Sequence, residues 1–566
     1  MRRPVLTALV IAVLATAPIA APNREAKRSA DVVFDRTAAK HLLTRAGFGG
    51  TAEDVDRLVA LGLERAVAHL MDGTPESVTA LPAFEPTVTR APNREDLRGL
   101  SAEERQKVAQ EHRRRDQQQM QAYRAWWIER MATTPAPLRE KMVLFWHGHF
   151  TSSHRDVRSS YHLVLQNELF RRFALGDFAE LLRLVSRDPA MIRYLDTNRN
   201  RKGQPNENYA REVMELFTLG AGSYTEKDIK EAARAFTGFN YAGNEFRFVR
   251  NAHDDGEKTI LGRTGRFDGD DVCRILVEQD AAPRHLASKL IDFFVGPNAP
   301  KGMLERYARL LRKNEWHLRP VLTALFTDPD FYRDEVIGSK ILGPVDFVVS
   351  ISRRLGETPP GRLLASYAGL LGQELFGPPN VKGWEGEDAW ITTATFLERG
   401  NFAAYLIEGV DRRRIMTDYL GDVGGGERLP RRGRPNRRDR DRGGDDEDDG
   451  DDSGENEGGG DEMSPAERMR SAARSMGRQL RGMAAGGEWK PATRIASLPG
   501  VKEAASAAEL VDALCARFLA VTVTPEARES LITFAGAGDE AYRLPSEHKL
   551  KRLVHLILSL PEAQLG

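Results

Sequence analysis

The chain has 566 residues, enough for more than one folding unit, and its 82 Lys and Arg balance its 82 Asp and Glu, so the formal net charge is zero. No global field draws such a chain to nucleic acid. The two cysteines, Cys273 and Cys515, exclude a disulfide framework, and neither has a metal-ligand partner at finger or ribbon spacing. Two unpaired thiols are expected, rather than one long-range bridge.

Arg2 and Arg3 precede a short apolar run from Val5 to Ala17, and small residues follow at Ala20 and Ala21. This is the pattern of a secretory signal over residues 1–21. The run is shorter than the roughly 20 residues a spanning helix needs, and no later segment is longer and equally apolar. The mature chain is expected to be exported to the periplasm, envelope or exterior, with no transmembrane segment.

Residues 35–420 carry mostly helical periodicity. Ala38 to Arg45 and Ala52 to Met71 form an early helix pair broken at Gly47-Phe48-Gly49-Gly50, with Thr51 and Asp54 as a capping box. A charged helix runs from Ser101 to Met131; its first half is polar all round, and its end carries Trp126, Trp127 and Met131 as a docking face. Thr225 and Asp228 open another capped helix. Phe246–Val249 and Thr259–Leu261 are expected as two short strands around an Asp254-Asp255-Gly256 turn. Three helical stretches run into a proline, at Asp188-Pro189, Asp328-Pro329 and Leu560-Pro561, a device that stops helices.

Residues 421–462 are of low complexity, arginine-rich and then acidic, and are expected to be a disordered linker. Residues 463–490 follow as a basic amphipathic helix with Met469, Met476 and Met483 seven apart, suited to an anionic surface or to the chain's own acidic linker. Residues 491–566 are expected to form short helices that pack on the main domain. The fold class is therefore all-α, multi-helix, with one minor β-hairpin and a disordered insertion.

Two strings carry the candidate chemistry. Between Asn206 and Gly220, helical spacing puts Tyr209, Val213, Leu216 and Phe217 on an apolar stripe and Asn208, Arg211, Glu212 and Glu215 on a polar one. The other is Trp146-His147-Gly148-His149-Phe150. On a continuous helix, His147 and His149 diverge by about 200°; a helix that ends at Gly148 frees His149 to turn back. His154 and His162 lie downstream. Paired imidazoles hold metals or move protons near neutral pH. The competing reading makes Arg211, Glu207, Glu212 and Glu215 a buried ion-pair network. His253-Asp254 is a metal or proton-transfer candidate, though the turn reading is preferred. Gly377-Pro378-Pro379-Asn380-Val381-Lys382-Gly383-Trp384 is a rigid aromatic loop, either the floor of a groove or a structural corner. No HExxH, Walker A, GxSxG or GxGxxG string stands in a convincing context, which argues against the familiar zinc proteases, nucleotide hydrolases and α/β-hydrolases.

Four segments together resemble the bacterial family called domain of unknown function 1800. They are His41-Leu42-Leu43-Thr44-Arg45-Ala46-Gly47-Phe48-Gly49, the Trp146–Phe150 string, the Asn206–Gly220 helix and the Gly377–Trp384 loop. His253-Asp254 with Lys258-Thr259 and Leu261-Gly262 also fits. The resemblance implies an exported, mainly helical protein and no particular reaction. It also implies a second exported protein with an alkaline-phosphatase-like fold as a partner. Gly148 stands where the family's Trp-His-x-His-Phe string is often polar.

The leading expectation is an envelope-associated protein whose one polar site binds a divalent metal or a polar polymer fragment, with a hydrolytic version. His147, His149, Glu212 and Arg211 are the catalytic candidates: a histidine or Glu212 as general base, Arg211 stabilising negative charge. Glu207, Asn208 and Trp384 are the ligand-binding candidates, and His147, His149, His253 and Asp254 the metal candidates. The rival expectation is a non-catalytic scaffold or secretion-assembly component.

Overall fold

The computed structural model describes residues 32–73, 81–82, 92, 95–409, 489–536 and 542–566. The expected signal, the linker and the basic helix as far as residue 488 lie outside the described residues. From Phe34 onward the described residues belong to one compact unit. The described residues of this unit are mainly helical, with two small antiparallel sheets.

Local signals set the helix starts. Thr51, Ser101 and Thr225 each accept a hydrogen bond from the backbone amide three residues on, and the acid there (Asp54, Glu104, Asp228) accepts one from the cap's own amide. These reciprocal bonds satisfy donors a helix start otherwise leaves open. The helix expected over 52–71 is two, Ala52–Leu61 and Leu63–Asp72, because Gly62 takes a φ of 77° that no right-handed helix continues through. At the Asp-Pro steps the proline ends one helix and begins another. Asp188 caps Pro189–Tyr194, Asp328 caps the short 3-10 turn Pro329–Tyr332, and Met191 and Phe331 return to the core.

The long helix Ala102–Thr133 is exposed over its first turns and buries Tyr123, Trp127, Ile128 and Met131 at its end. That end packs on the helices Pro137–His149, Ser160–Arg172, Pro344–Leu355 and Gly361–Leu370. A Cβ on Gly361 would lie 2.2 Å from the Ala125 carbonyl oxygen, so the crossing there is backbone on backbone.

The single hairpin expected around Asp254-Asp255-Gly256 is instead two. Strands β1 (Phe239–Ala242) and β2 (Glu245–Phe248) pair with each other, as do β3 (Lys258–Ile260) and β4 (Arg263–Gly265). Two-residue turns decide this. Gly243 has φ 61° before Asn244, and Leu261 and Gly262 have φ 48° and 78°. Such positive-φ turns match the strand twist, so each strand pairs with its immediate neighbour.

The helices Ala507–Phe518, Pro525–Ala535 and Glu547–Leu558 pack together; the first lies on Pro344–Leu355 and the last on Thr393–Glu408. The chain end is tied in by backbone bonds from Leu342 N to Gln564 O (2.8 Å) and Gly566 N to Lys340 O (2.9 Å). Cys273 and Cys515 are both buried and unpaired. No helix among the described residues is long and apolar enough to cross a membrane.

Candidate functional site

The helix Pro137–His149 does not stop at Gly148. It runs through His149, and Phe150 caps it by donating its amide to Trp146 O at 2.8 Å. The two imidazoles therefore leave the helix on nearly opposite sides. His147 lies among Trp127, Phe376 and Trp384, with ring centroids 5.2, 4.7 and 5.6 Å away. Its Nε2 accepts the Phe376 amide at 3.0 Å, so the proton sits on Nδ1, which is buried without a hydrogen-bond partner. His149 lies among Phe145, Trp146 and Phe150 and donates from Nε2 to Phe217 O at 3.1 Å. Burial, with Arg124 beside it, pulls His147 down to about 3. Burial, with His285 and Lys289, pulls His149 down to about 3 against its bond to Phe217. Both rings are neutral at physiological pH.

The Trp146 string and the Asn206–Gly220 segment do meet, through His149 and Phe150 against Phe217. The second segment begins as an α-helix, Asn208–Met214, and widens into a π-helical turn over Glu215–Leu219. A π turn leaves the ordinary i, i+4 ladder, and here side chains fill in. His149 bonds Phe217 O, His285 Nε2 bonds Leu216 O at 2.8 Å, and Thr218 Oγ1 bonds Val213 O at 2.5 Å. The two imidazole rings stand 6.3 Å apart, both turned to the π turn. His285 carried no sequence signal beyond sharing a helix face with Lys289.

The polar stripe faces outward. Arg211 makes a bidentate pair with Glu226 (2.9 Å to each oxygen) and a 3.2 Å contact to Glu207; Arg211 is 37 % and Glu226 67 % exposed. These are surface ion pairs, not the buried network of the competing reading. Glu215 accepts the Tyr224 hydroxyl at 2.8 Å. Glu212 is half-buried; burial and the Glu215 charge raise its pKa, against Arg211 and Lys382. Asn208 uses its amide on Asn206 Oδ1, and Asn206 uses its own on Asn200 Oδ1, both at 2.9 Å, so these asparagines shape the turn.

The Gly377–Trp384 loop is a structural corner against the end of the His149 helix. Gly383 has φ 83°, and a Cβ there would lie 2.8 Å from Gly148 O. Thr151 Oγ1 bonds Val381 O at 2.6 Å, and Lys382 donates its amide to Asn380 Oδ1 at 2.9 Å. Trp384 thus closes over His147, while Lys382 in the same loop is among the charges that act on Glu212.

The remaining histidines are placed apart. His253 Nδ1 bonds Thr237 O at 2.8 Å, while Asp254 pairs with Arg234 at 2.8 Å and accepts the Gly256 amide at 2.9 Å, which is the turn reading. His154 pairs with buried Asp116 at 2.7 Å, and His162 bonds the β1–β2 turn. The structure thus separates the metal candidates His147, His149 and His253–Asp254. Among the described residues no three His, Cys, Asp or Glu side chains are grouped to hold a metal ion.

A fully buried carboxylate, Glu140, escaped the sequence reading. It takes a bidentate pair from Arg171 (2.8 and 2.9 Å), a bond from Arg130 (2.5 Å) and one from Trp127 Nε1 (3.0 Å). Arg171 also bonds Asn167 at 3.0 Å and pairs with Glu168. Burial alone raises Glu140, but the two guanidiniums outweigh it and hold it below the usual carboxylate value.

No curated protein and no solved structure is detectably similar to the chain. The model of one family, described as protein of unknown function (DUF1800), matches residues 41–565, nearly the whole chain and every segment described above. The His149–π-turn contact and the polar face beside it are thus features of a chain that belongs to the DUF1800 family.

Proposed function

We propose that this protein is an exported, non-catalytic scaffold that binds a polar partner through the face carrying Arg211, Glu212 and Glu215. The observation behind this reading is the state of His147 and His149. Each is sealed, neutral and committed to a backbone group of another segment. A general base needs reach to the proton it takes, and neither ring has that reach. Their chemistry is positional: His147 pins the loop at Phe376, and His149 pins the π turn that begins at Glu215 and follows Glu212.

The partner we favour is the second exported protein with an alkaline-phosphatase-like fold that the family resemblance implies. Purified mature chain would be titrated with that partner. Wild type is expected to bind, and Glu212→Gln with Glu215→Gln to bind at least about tenfold more weakly while staying folded, since charged hydrogen bonds contribute about 1.5–3 kcal/mol each. Undiminished binding by the double variant would remove this face from the interface. Recovery of the chain in the cytoplasmic fraction would remove export.

One observation favours a second, hydrolytic reading. Glu212, with raised proton affinity beside Glu215 and no hydrogen bond from the described residues, has the setting of a general acid or base. Hydrolysis of a polar polymer fragment that disappears in Glu212→Gln would establish it. Elemental analysis of tag-free protein tests the metal version: a stoichiometric divalent metal lost in His147→Gln would support it, and metal-free folded protein would not.

A further inference from the structure

Helix Arg36–Arg45, the turn Gly49-Gly50-Thr51, Arg354 and helix Ala507–Phe518 line a small pocket that opens to solvent. Its charged lining residues are Arg36, Lys40, Arg354 and Arg517, all cationic, and no acid lines it. Two of the four are buried: Arg354 is 2 % exposed and Arg517 9 %.

Their hydrogen-bonding capacity is not used up. Arg354 Nη1 donates to Phe518 O at 2.8 Å, but Nη2 is buried with no hydrogen-bond partner. Arg517 has neither Nε nor Nη1 hydrogen-bonded; its nearest carboxylate, Glu53 on the rim, stands 3.9 Å away. Lys40 donates to Ala516 O at 2.6 Å, which satisfies a donor and leaves the charge uncompensated. Arg36 pairs outward with Asp56, and Asp54 caps Thr51 and pairs with Arg57. The amino end of helix Ala52–Leu61 adds partial positive charge at the pocket's floor. A buried guanidinium without a counter-charge is costly. Water in the pocket would satisfy hydrogen bonds and leave the Lys40 and Arg354 charges uncompensated and Arg517 only weakly compensated by Glu53. Burial, with Arg354 and Arg36 nearby, pulls Lys40 down to about 8.

We propose that this pocket is a receptor for a single oxyanionic group, a phosphate or a carboxylate, held by Lys40, Arg354 and Arg517. The planar guanidinium fork suits either group. The shared chemistry has two sources, a free phosphate or a carboxylate from the chain's own acidic run around Asp445-Asp446-Glu447-Asp448-Asp449.

Calorimetric titration with inorganic phosphate, in chloride buffer, separates them. It would be run on the full chain and on a full-length chain with the acids of 445–452 changed to serine. Saturable one-to-one binding by the wild type assigns the pocket to free phosphate. Binding that appears only in the serine chain assigns it to the chain's own carboxylate. In whichever background binds, Lys40→Met and Arg517→Gln are each expected to weaken binding at least about tenfold, the loss of one charge-assisted hydrogen bond. Far-UV circular dichroism checks folding, and Lys40→Met decides the matter where Arg517→Gln fails to fold. No saturable binding in either background, or binding that both folded variants retain, overturns the proposal.

Discussion

Two clusters of carboxylates and guanidiniums have similar composition and opposite settings. Around Glu140, two arginines, a tryptophan N–H and an asparagine converge in the core, with every bond to the carboxylate between 2.5 and 3.0 Å. Around Glu212, Arg211 pairs sideways with exposed Glu226 and Glu207, and Glu212 takes no hydrogen bond from the described residues. The first cluster ties three helices together: Ala102–Thr133, Pro137–His149 and Ser160–Arg172. The second joins helix Asn208–Met214 to helix Glu226–Ala235 only through exposed pairs and holds a half-buried carboxylate of raised proton affinity beside them. A fully satisfied cluster contributes to folding; an unsatisfied, accessible one is free to bind. On the proposed function, the first cluster serves folding and the second serves recognition.

Removing Glu140 tests the first half most severely. Glu140→Ala leaves Arg130 and Arg171 facing each other in the core, which should cost about 3–5 kcal/mol. Urea unfolding of the purified chain measures it. A loss below about 1 kcal/mol, the level of an exposed pair, would erase the contrast between the two clusters.

Acid sharpens the comparison through the histidines that flank it. A histidine neutral in the fold to about 3 but titrating near 6.5 when unfolded binds more protons in the unfolded state between those values. Stability from His147 and His149 is therefore intact above pH 6.5 and lost as pH falls toward 3, at up to about 1.4 kcal/mol per pH unit for each ring. Asp188 opposes them. Burial raises it to about 7, so over the same window the folded state holds the extra proton and gains stability as pH falls. The unfolding midpoint of His147→Gln should thus fall less steeply between pH 6 and 4 than the wild type, and that of Asp188→Asn more steeply. Parallel curves for the wild type and His147→Gln would mean that His147 is not held neutral.

These outcomes bear on how much the residues alone disclosed. Helix caps at Thr51, Ser101 and Thr225 were legible because a hydroxyl and an acid three apart act locally. The docking end of the long helix was legible from Trp126, Trp127 and Met131. The hairpin pairing was missed because two turn signals, Gly243-Asn244 and Leu261-Gly262, were outranked by Asp254-Asp255-Gly256. The site was half legible. The two strings meet, but Gly148 lets the helix pass, so the histidines part. Glu140 was invisible because Arg130 and Arg171 are ten residues before it and thirty-one after, and only tertiary packing brings them in.

The Gly377–Trp384 corner packs on the end of the His149 helix, and its Lys382 is among the charges that act on Glu212. Gly383→Ala places a Cβ against Gly148 O at a φ of 83°, so about 1–3 kcal/mol of stability should be lost through strain. Trp384 packs on His147, so the strain falls on that corner, and partner binding per folded molecule should change less than stability. Thermal unfolding read beside the partner titration checks both. A binding loss larger than the stability loss would put the loop in the recognition face.

The smallest expected effect is the most informative about function. Glu212→Gln keeps the shape of a half-buried side chain that makes no hydrogen bond to the described residues, and it relieves repulsion from Glu215. Its effect on stability should lie within about 0.5 kcal/mol, as for surface changes generally. A stabilising sign is favoured, because the raised proton affinity means the fold prefers a neutral group there. Urea midpoints at pH 7 for wild type, Glu212→Gln and Glu140→Gln, measured together, set the scale. Glu140→Gln should fall well below the wild type, since a neutral amide cannot compensate two buried guanidiniums. If Glu212→Gln fell as far, the Arg211 stripe would be carrying the fold, and the recognition face would have to be sought elsewhere on the molecule.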